Sequence, residues 1–199
     1  LSKVEAENEL IKLKDENFSP IMMRNATAYG VSPRMRLDLV VGNLMAIGYT
    51  TGVIKVLSDG TPWRPLVHIE DISKAALIAA SSIKELPYSI YNVGSNDCNY
   101  TVKEIADTVG KQLPNCEIKI TGENGNDPRS YKVDFSRALN GLPGYNPSWN
   151  LYKGCIETKK WLNENVKINE NIINNKYVRL MHLKKLLDQK NIDHNFRWI

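Results

Sequence analysis

Asp59-Gly60-Thr61-Pro62-Trp63-Arg64-Pro65-Leu66-Val67-His68-Ile69-Glu70-Asp71 joins a turn, a strand and a helix start around one arginine. Glycine at 60 supplies the positive φ that a corner needs, and Trp63 to Ile69 reads as a strand of large apolar residues. Arg64 interrupts that strand as an unpaired cation. Its fixed fork of donors suits a planar anion, phosphate or carboxylate; the alternative is an exposed strand residue paired with a nearby acid. Asp71 then caps, or sits in the first turn of, the helix Ile72-Ser73-Lys74-Ala75-Ala76-Leu77-Ile78-Ala79-Ala80, where a carboxylate is favourable against the helix dipole.

The chain around this stretch has 199 residues, 42% hydrophobic, enough for one domain or two small ones. Cys98, Cys116 and Cys155 lie far apart without C-x-x-C spacing, which suggests neither a disulfide framework nor a metal site and fits a reducing, cytoplasmic setting. No apolar run approaches the roughly 20 residues of a membrane span, and no signal peptide is visible. The net charge of +4 is spread among interleaved acids. The arginines stand singly, without an aromatic platform, so a nucleic-acid partner is not expected.

Leu1 to Leu13 carries Val4, Ala6, Leu10, Ile11 and Leu13 among Lys and Glu, which suits the inner face of a helix, and that helix begins without a cap, as if cut inside an element. Ile21 to Thr27 forms a short strand running to Tyr29-Gly30, and the loop after it carries Arg34 and Arg36, which either close over an anionic substrate or are solvated. Leu37 to Gly48 is an apolar helix with Asn43 inside it, and a buried amide must find partners. Val53 to Leu57 and Ile90 to Val93 are strands. Thr101-Val102-Lys103-Glu104 opens a helix with a capping box. Glu117 to Ile120 is another strand. Beyond Trp149 come a helix around Gly154-Cys155-Ile156 and a lysine- and asparagine-rich tail. In that tail Tyr177 to Leu187 reads as an amphipathic cover helix resting on Val178, Met181 and Leu186-Leu187.

Arg-x-x-x-His-x-x-Asp (Arg64, His68, Asp71) before an alanine-rich helix resembles the sugar-nucleotide epimerases and dehydratases of the extended short-chain dehydrogenase/reductase family. Several other segments resemble that family too, over roughly Lys3 to Trp161. Ser2-Lys3-Val4-Glu5 is similar to the second half of its Tyr-x-x-Ser-Lys helix, which implies Lys3 as the catalytic lysine and puts the tyrosine two positions before Leu1; on its own Lys3 would read as a surface lysine. The resemblance implies that Asn25 and Ala26 adjoin the nicotinamide, that Thr27 stands where relatives often carry a substrate-binding Asn, and that Asn43-Leu44 contacts the nucleotide diphosphate. Asp127-Pro128-Arg129 resembles the segment whose arginine complements Arg64 on that diphosphate. Either arginine could instead serve no ligand.

The fold so implied is α/β, the C-terminal part of a Rossmann-type extended short-chain dehydrogenase with its small α/β substrate-binding domain. Residues 1–50 would hold the last helix and strand of the nucleotide-binding domain plus the first connection, 51–165 the substrate (nucleotide-sugar) domain, and 166–199 a helical C-terminal extension. The implied activity is transient hydride transfer at a sugar carbon with NAD or NADP, ending in epimerisation, dehydration or reduction. No G-x-x-G-x-x-G fingerprint is present, so NAD or NADP would be bound mainly by sequence preceding Leu1, and the chain alone is expected to be inactive and to bind no cofactor with useful affinity. The resemblance also implies a homodimer through the first helix. The competing expectation is a noncatalytic nucleotide-sugar-binding or scaffold member of the same fold. Arg64→Ala is expected to cost ligand affinity and leave the melting temperature nearly unchanged.

Overall fold

The computed structural model describes residues 2–82, 86–123, 129–167, 171–174 and 176–199. Helix α1 (Ser2–Lys12), expected to turn its apolar residues inward, has no buried residue: Val4 is 56% exposed and Ile11 41%. It is tied to the next element by the fork of Arg24, whose Nε donates to both carboxylate oxygens of Glu7 at 2.9 and 3.1 Å and whose Nη2 pairs with the same group.

The expected strand from Ile21 to Thr27 is two strands. Strand β1 (Met22–Asn25) and β2 (Thr27–Tyr29) flank Ala26, because the chain changes partners there. β1 runs parallel to β5 (Ile90–Val93), with Met22 opposite Ile90 and Asn25 opposite Val93. β2 runs parallel to β4 (Trp63–His68), with Thr27 opposite Leu66 and Tyr29 opposite His68. The Ala26 amide still donates to Val93 at 3.1 Å, so Ala26 is the hinge between the two pairings. β4 changes partners as well. Its first half pairs antiparallel with the short β6 (Asn99–Thr101) and its second half with β2. Pro65, which can donate no ladder bond, opposes Asn99 at the end of the β6 register. β4 and β5 both follow residue 50 yet pair with strands before it, so the segments on either side of that position share their sheets.

The third pair is β3 (Val53–Val56) parallel to β7 (Glu117–Ile120). Over these strands pack α2 (Val40–Thr51), α4 (Val102–Gln112) and α6 (Leu151–Asn165), which contact one another. Their inner faces, with Leu44, Met45, Ile105, Val109, Leu151 and Leu162, form the larger core. The capping box of α4 is present as read, Thr101 accepting from Glu104 and Glu104 reaching back to Thr101. A second core lies under α3 (Ile69–Ser81) and α5 (Ser136–Gly141), where Ala75 and Ala79, four residues apart, face Tyr91 and Val93 while Leu77 on the far side is 71% exposed.

Helix α7 (Arg179–Asp188) buries none of its residues. The cover expected from Val178, Met181 and Leu186-Leu187 is supplied instead by the chain before it. Ile172 (1% exposed) and Tyr177 (7%) enter the larger core, Tyr177 meets Trp161 edge to face at 5.7 Å, and its carbonyl accepts from Leu37 at 3.1 Å. No helix among the described residues is long and apolar enough to cross a membrane.

Candidate functional site

The opening turn forms as its residues dictate. Asp59 accepts from the amide and hydroxyl of Thr61 at 3.0 and 2.9 Å, and Gly60 takes φ +86°. β4 starts from this turn at the wall of a cleft of about 810 Å³, a volume within the range of small-molecule sites. Thr27 of β2, Asn43 and Leu44 of α2, Arg64 of β4 and Arg129 all line it. Five of the eight residues singled out in the sequence therefore converge on one concavity. Lys3, Asn25 and Ala26 do not line it; they lie on α1 and at the carboxyl end of β1.

Arg64 is not unpaired. Its Nη1 donates to the carbonyls of Trp63 and Arg129, both at 2.8 Å. The segment after Arg129 is laid along the start of β4 by further bonds: Ser130 Oγ accepts from the Trp63 amide at 3.0 Å, and Lys132 Nζ lies 3.6 Å from the Trp63 ring centre. Arg64 thus holds the backbone that presents Arg129, and it has a structural role that the sequence alone does not reveal. Asn43 is half-buried, and its Nδ2 donates to Leu37 at 3.1 Å, which satisfies one side of the amide from nearby backbone. Leu44 is 4% exposed and belongs to the core as much as to the cleft floor.

Two charged residues of the cleft were not singled out in the sequence. Lys55 projects from the exposed side of β3 and pairs with Glu123 at 3.0 Å; strand alternation beside buried Ile54 and Val56 is the signal that could have found it. Asp38 pairs with Arg36 through two contacts of 2.9 Å, and that guanidinium holds its carboxyl below the usual range. The cleft wall is cationic on balance, with Lys55, Arg64 and Arg129 against Asp38.

Behind the cleft, the last residues of the opening stretch lock the fold. His68 is 1% exposed, stacks on Trp149 at 3.7 Å and 10°, and meets Tyr29 edge-on at 5.2 Å. Its Nδ1 accepts from the Glu70 amide at 3.3 Å as the cap of α3, which leaves Nε2 to bond Glu157 at 2.9 Å. Gly30, at φ +111°, passes so close that a Cβ there would overlap the imidazole. Asp71, read as a cap or first-turn acid, stands in the first turn, while His68 is the cap. The Asp71 carboxylate, 1% exposed, accepts from the amides of Ser148 and Trp149, both at 3.1 Å, and fixes the loop before α6.

Burial raises the pKa of Tyr29 and Tyr145, and pushes Tyr100 and Cys155 up to about 12 each. These groups stay protonated at neutral pH, the opposite of what a general base requires.

The family model "NAD dependent epimerase/dehydratase family" matches residues 1–94. UDP-glucuronic acid decarboxylase 6 of Arabidopsis thaliana is 30% identical over 125 residues, 61% of this chain and 35% of that protein. UDP-glucuronate 4-epimerase of Thermodesulfobacterium geofontis is 24% identical over 152 residues, 76% of this chain and 45% of that protein. The chain thus spans between a third and a half of these two relatives. Among solved structures, UDP-glucuronic acid 4-epimerase from Bacillus cereus, in complex with UDP-glucuronic acid and NAD, superposes with a TM-score of 0.65 at 20% identity, covering 81% of this chain and 51% of that one. At such identity the likeness is one of fold, and it agrees with the parallel pairings described above. In the motif of β4 and α3, in the match over residues 1–94 and in the shared α/β fold, the chain is similar to the NAD-dependent epimerase/dehydratase family.

Proposed function

We propose that the chain is the substrate-holding portion of an NAD(P)-dependent nucleotide-sugar epimerase or dehydratase, and that the cleft takes the nucleotide diphosphate. The convergence of Arg64 and Arg129 on one cleft, with Asn43 as a neutral donor beside them, carries this reading. A diphosphate is the anion that two guanidinium groups from separate segments suit, each offering paired donors. The relatives named above act on UDP-glucuronic acid or are bound to it, which favours a UDP-sugar.

The residues at β1 suit a dinucleotide. Asn25 ends β1 exposed, beside its parallel partner β5, and ligands of open α/β sheets lie outside the carboxyl ends of such strands. Lys3 precedes Glu7 by one helical turn on the same face, about 6 Å along the axis from the residue that anchors α1 to β1 through Arg24. Lys3, Asn25 and Ala26 would hold the nicotinamide and ribose end of NAD or NADP. The bound cofactor would supply a reversible hydride acceptor at a sugar carbon. A Lys3 ammonium would lower the pKa of a neighbouring tyrosine and so prepare it as the base. Thr27 offers the substrate a hydroxyl from β2. The exposed apolar residues Val4 and Ile11, seven positions apart on one side of α1, support a homodimer through this helix, and the protein fits a cytoplasmic enzyme.

Turnover of UDP-, dTDP- and GDP-sugars by the full-length protein with NAD or NADP, followed by NMR of the sugar, tests the reading. Conversion that disappears in Lys3→Met supports it. Tight binding of a nucleotide-sugar with no conversion by the unaltered protein would instead leave a noncatalytic binding member.

A further inference from the structure

Between the loop after β2 and the start of α7 lies a second cavity of about 300 Å³ that the nucleotide-sugar reading does not use. Arg34 and Arg36 line it from the loop, and Lys176, Arg179 and His182 from the C-terminal extension. Among the described residues, no carboxylate lines it. Asp38 pairs with Arg36 at 2.9 Å, and its carboxyl also feels the charge of Arg179. Asp38 itself faces the larger cleft while Arg36 faces this cavity, so the Arg36–Asp38 pair is the partition between two sites.

The floor is rigid. Tyr177 is 7% exposed, sits in the larger core and is bonded through its carbonyl to Leu37, so the part of the lining that it supplies is anchored to the core. Arg179 and His182, three residues apart, share the face of the first turn of α7 that lines the cavity. That helix has ten residues, and its cap, Val178, brings no side-chain acceptor to the first-turn amides. Amides at a helix start favour an anion, and here they adjoin a cavity that is already cationic.

We propose that this cavity is a binding site for a small soluble phosphate monoester, held by Arg34, Arg36 and Arg179 with the first turn of α7 behind it. A dianion satisfies converging guanidinium groups better than a monoanion does, and the volume is at the small end of ligand sites, too tight for a whole nucleotide-sugar. The site depends on the C-terminal extension for half of its cations, and it stands whether or not the larger cleft binds a nucleotide.

The test is an NMR titration of the isotope-labelled chain with inorganic phosphate and with a hexose phosphate, at fixed ionic strength. Saturable shifts of the Arg179, Leu180 and Met181 amides in the millimolar range or tighter, with the hexose phosphate bound at least as well as phosphate, are expected. In the double variant Arg34→Ser, Arg179→Ser those shifts should require at least tenfold more ligand, while shifts at cleft residues such as Asn43 stay as in the unaltered chain. Absence of saturation at the α7 amides in the unaltered chain overturns the proposal, as does equal affinity in the double variant. The unaltered chain alone decides the first point, so a variant that folds poorly does not shield the proposal.

Discussion

At the cleft, Arg64 and Arg129 come from segments 65 residues apart, and the two are joined by the bond from the Arg64 guanidinium to the Arg129 carbonyl. At the carboxyl end of β1, Lys3 rides on a helix with no buried residue whose side-chain tie to the sheet is the exposed Glu7–Arg24 pair. The first region is framed from several elements, and its strand β4 runs into a network in which buried His68 and Asp71 bond the half-buried Glu157 and Trp149. The second is a surface helix, tied among the described residues through Glu7. Charged side chains can hold a ligand alone only where the backbone beneath them is fixed, so under the proposed function the diphosphate part of the site is the part this chain would complete by itself.

Breaking the frame should have the largest effect. In Asp71→Ala the amides of Ser148 and Trp149 lose a buried charged acceptor, and hydrogen bonds to charged groups contribute on the order of 1.5 to 3 kcal/mol each. Global stability should fall by about 3 kcal/mol, read as a lower urea midpoint at unchanged slope. Next comes Arg64→Ala, which should weaken nucleotide-sugar binding about tenfold to a hundredfold, a tenfold change being roughly 1.4 kcal/mol. Because Nη1 also holds two carbonyls, the melting temperature should fall as well, contrary to the expectation drawn from sequence. Arg129→Ala sharpens the contrast, since the bond to Arg64 uses the Arg129 backbone. Affinity should drop about tenfold while the melting temperature falls less than in Arg64→Ala. At the other region, Glu7→Gln in this chain should leave both the urea midpoint and nucleotide-sugar affinity unchanged within error, because the pair it removes is exposed and a pair of that kind contributes little. A clear loss of affinity there would mean that the two regions are one unit.

What could be read in advance follows the range of the interactions. The Thr101–Glu104 capping box and the Asp59-Gly60 turn are closed by neighbours in sequence, and both are present. Helix and strand periods were legible for the same reason, α2, α3 and β7 among them. The break at Ala26 was not, because it records a change of partner from β5 to β4 that no local pattern encodes. Glu157 lies 89 residues from His68, and nothing near either residue announces the pair. In the tail, periodicity found α7 but could not say that Ile172 and Tyr177 would take the core positions. At the site, single arginines and one asparagine were found through a motif, whereas Lys55 and Asp38 joined the cleft through tertiary placement.

The central claim is that Arg64 and Arg129 hold one diphosphate in the cleft, and calorimetric titration of UDP into this chain, Arg64→Lys and Arg129→Ala tests it most directly. The account predicts one site in the unaltered chain, partial loss of affinity in Arg64→Lys because charge is kept and the planar fork is lost, and about tenfold loss in Arg129→Ala. Equal UDP affinity in all three proteins would contradict it and leave Arg64 a structural residue.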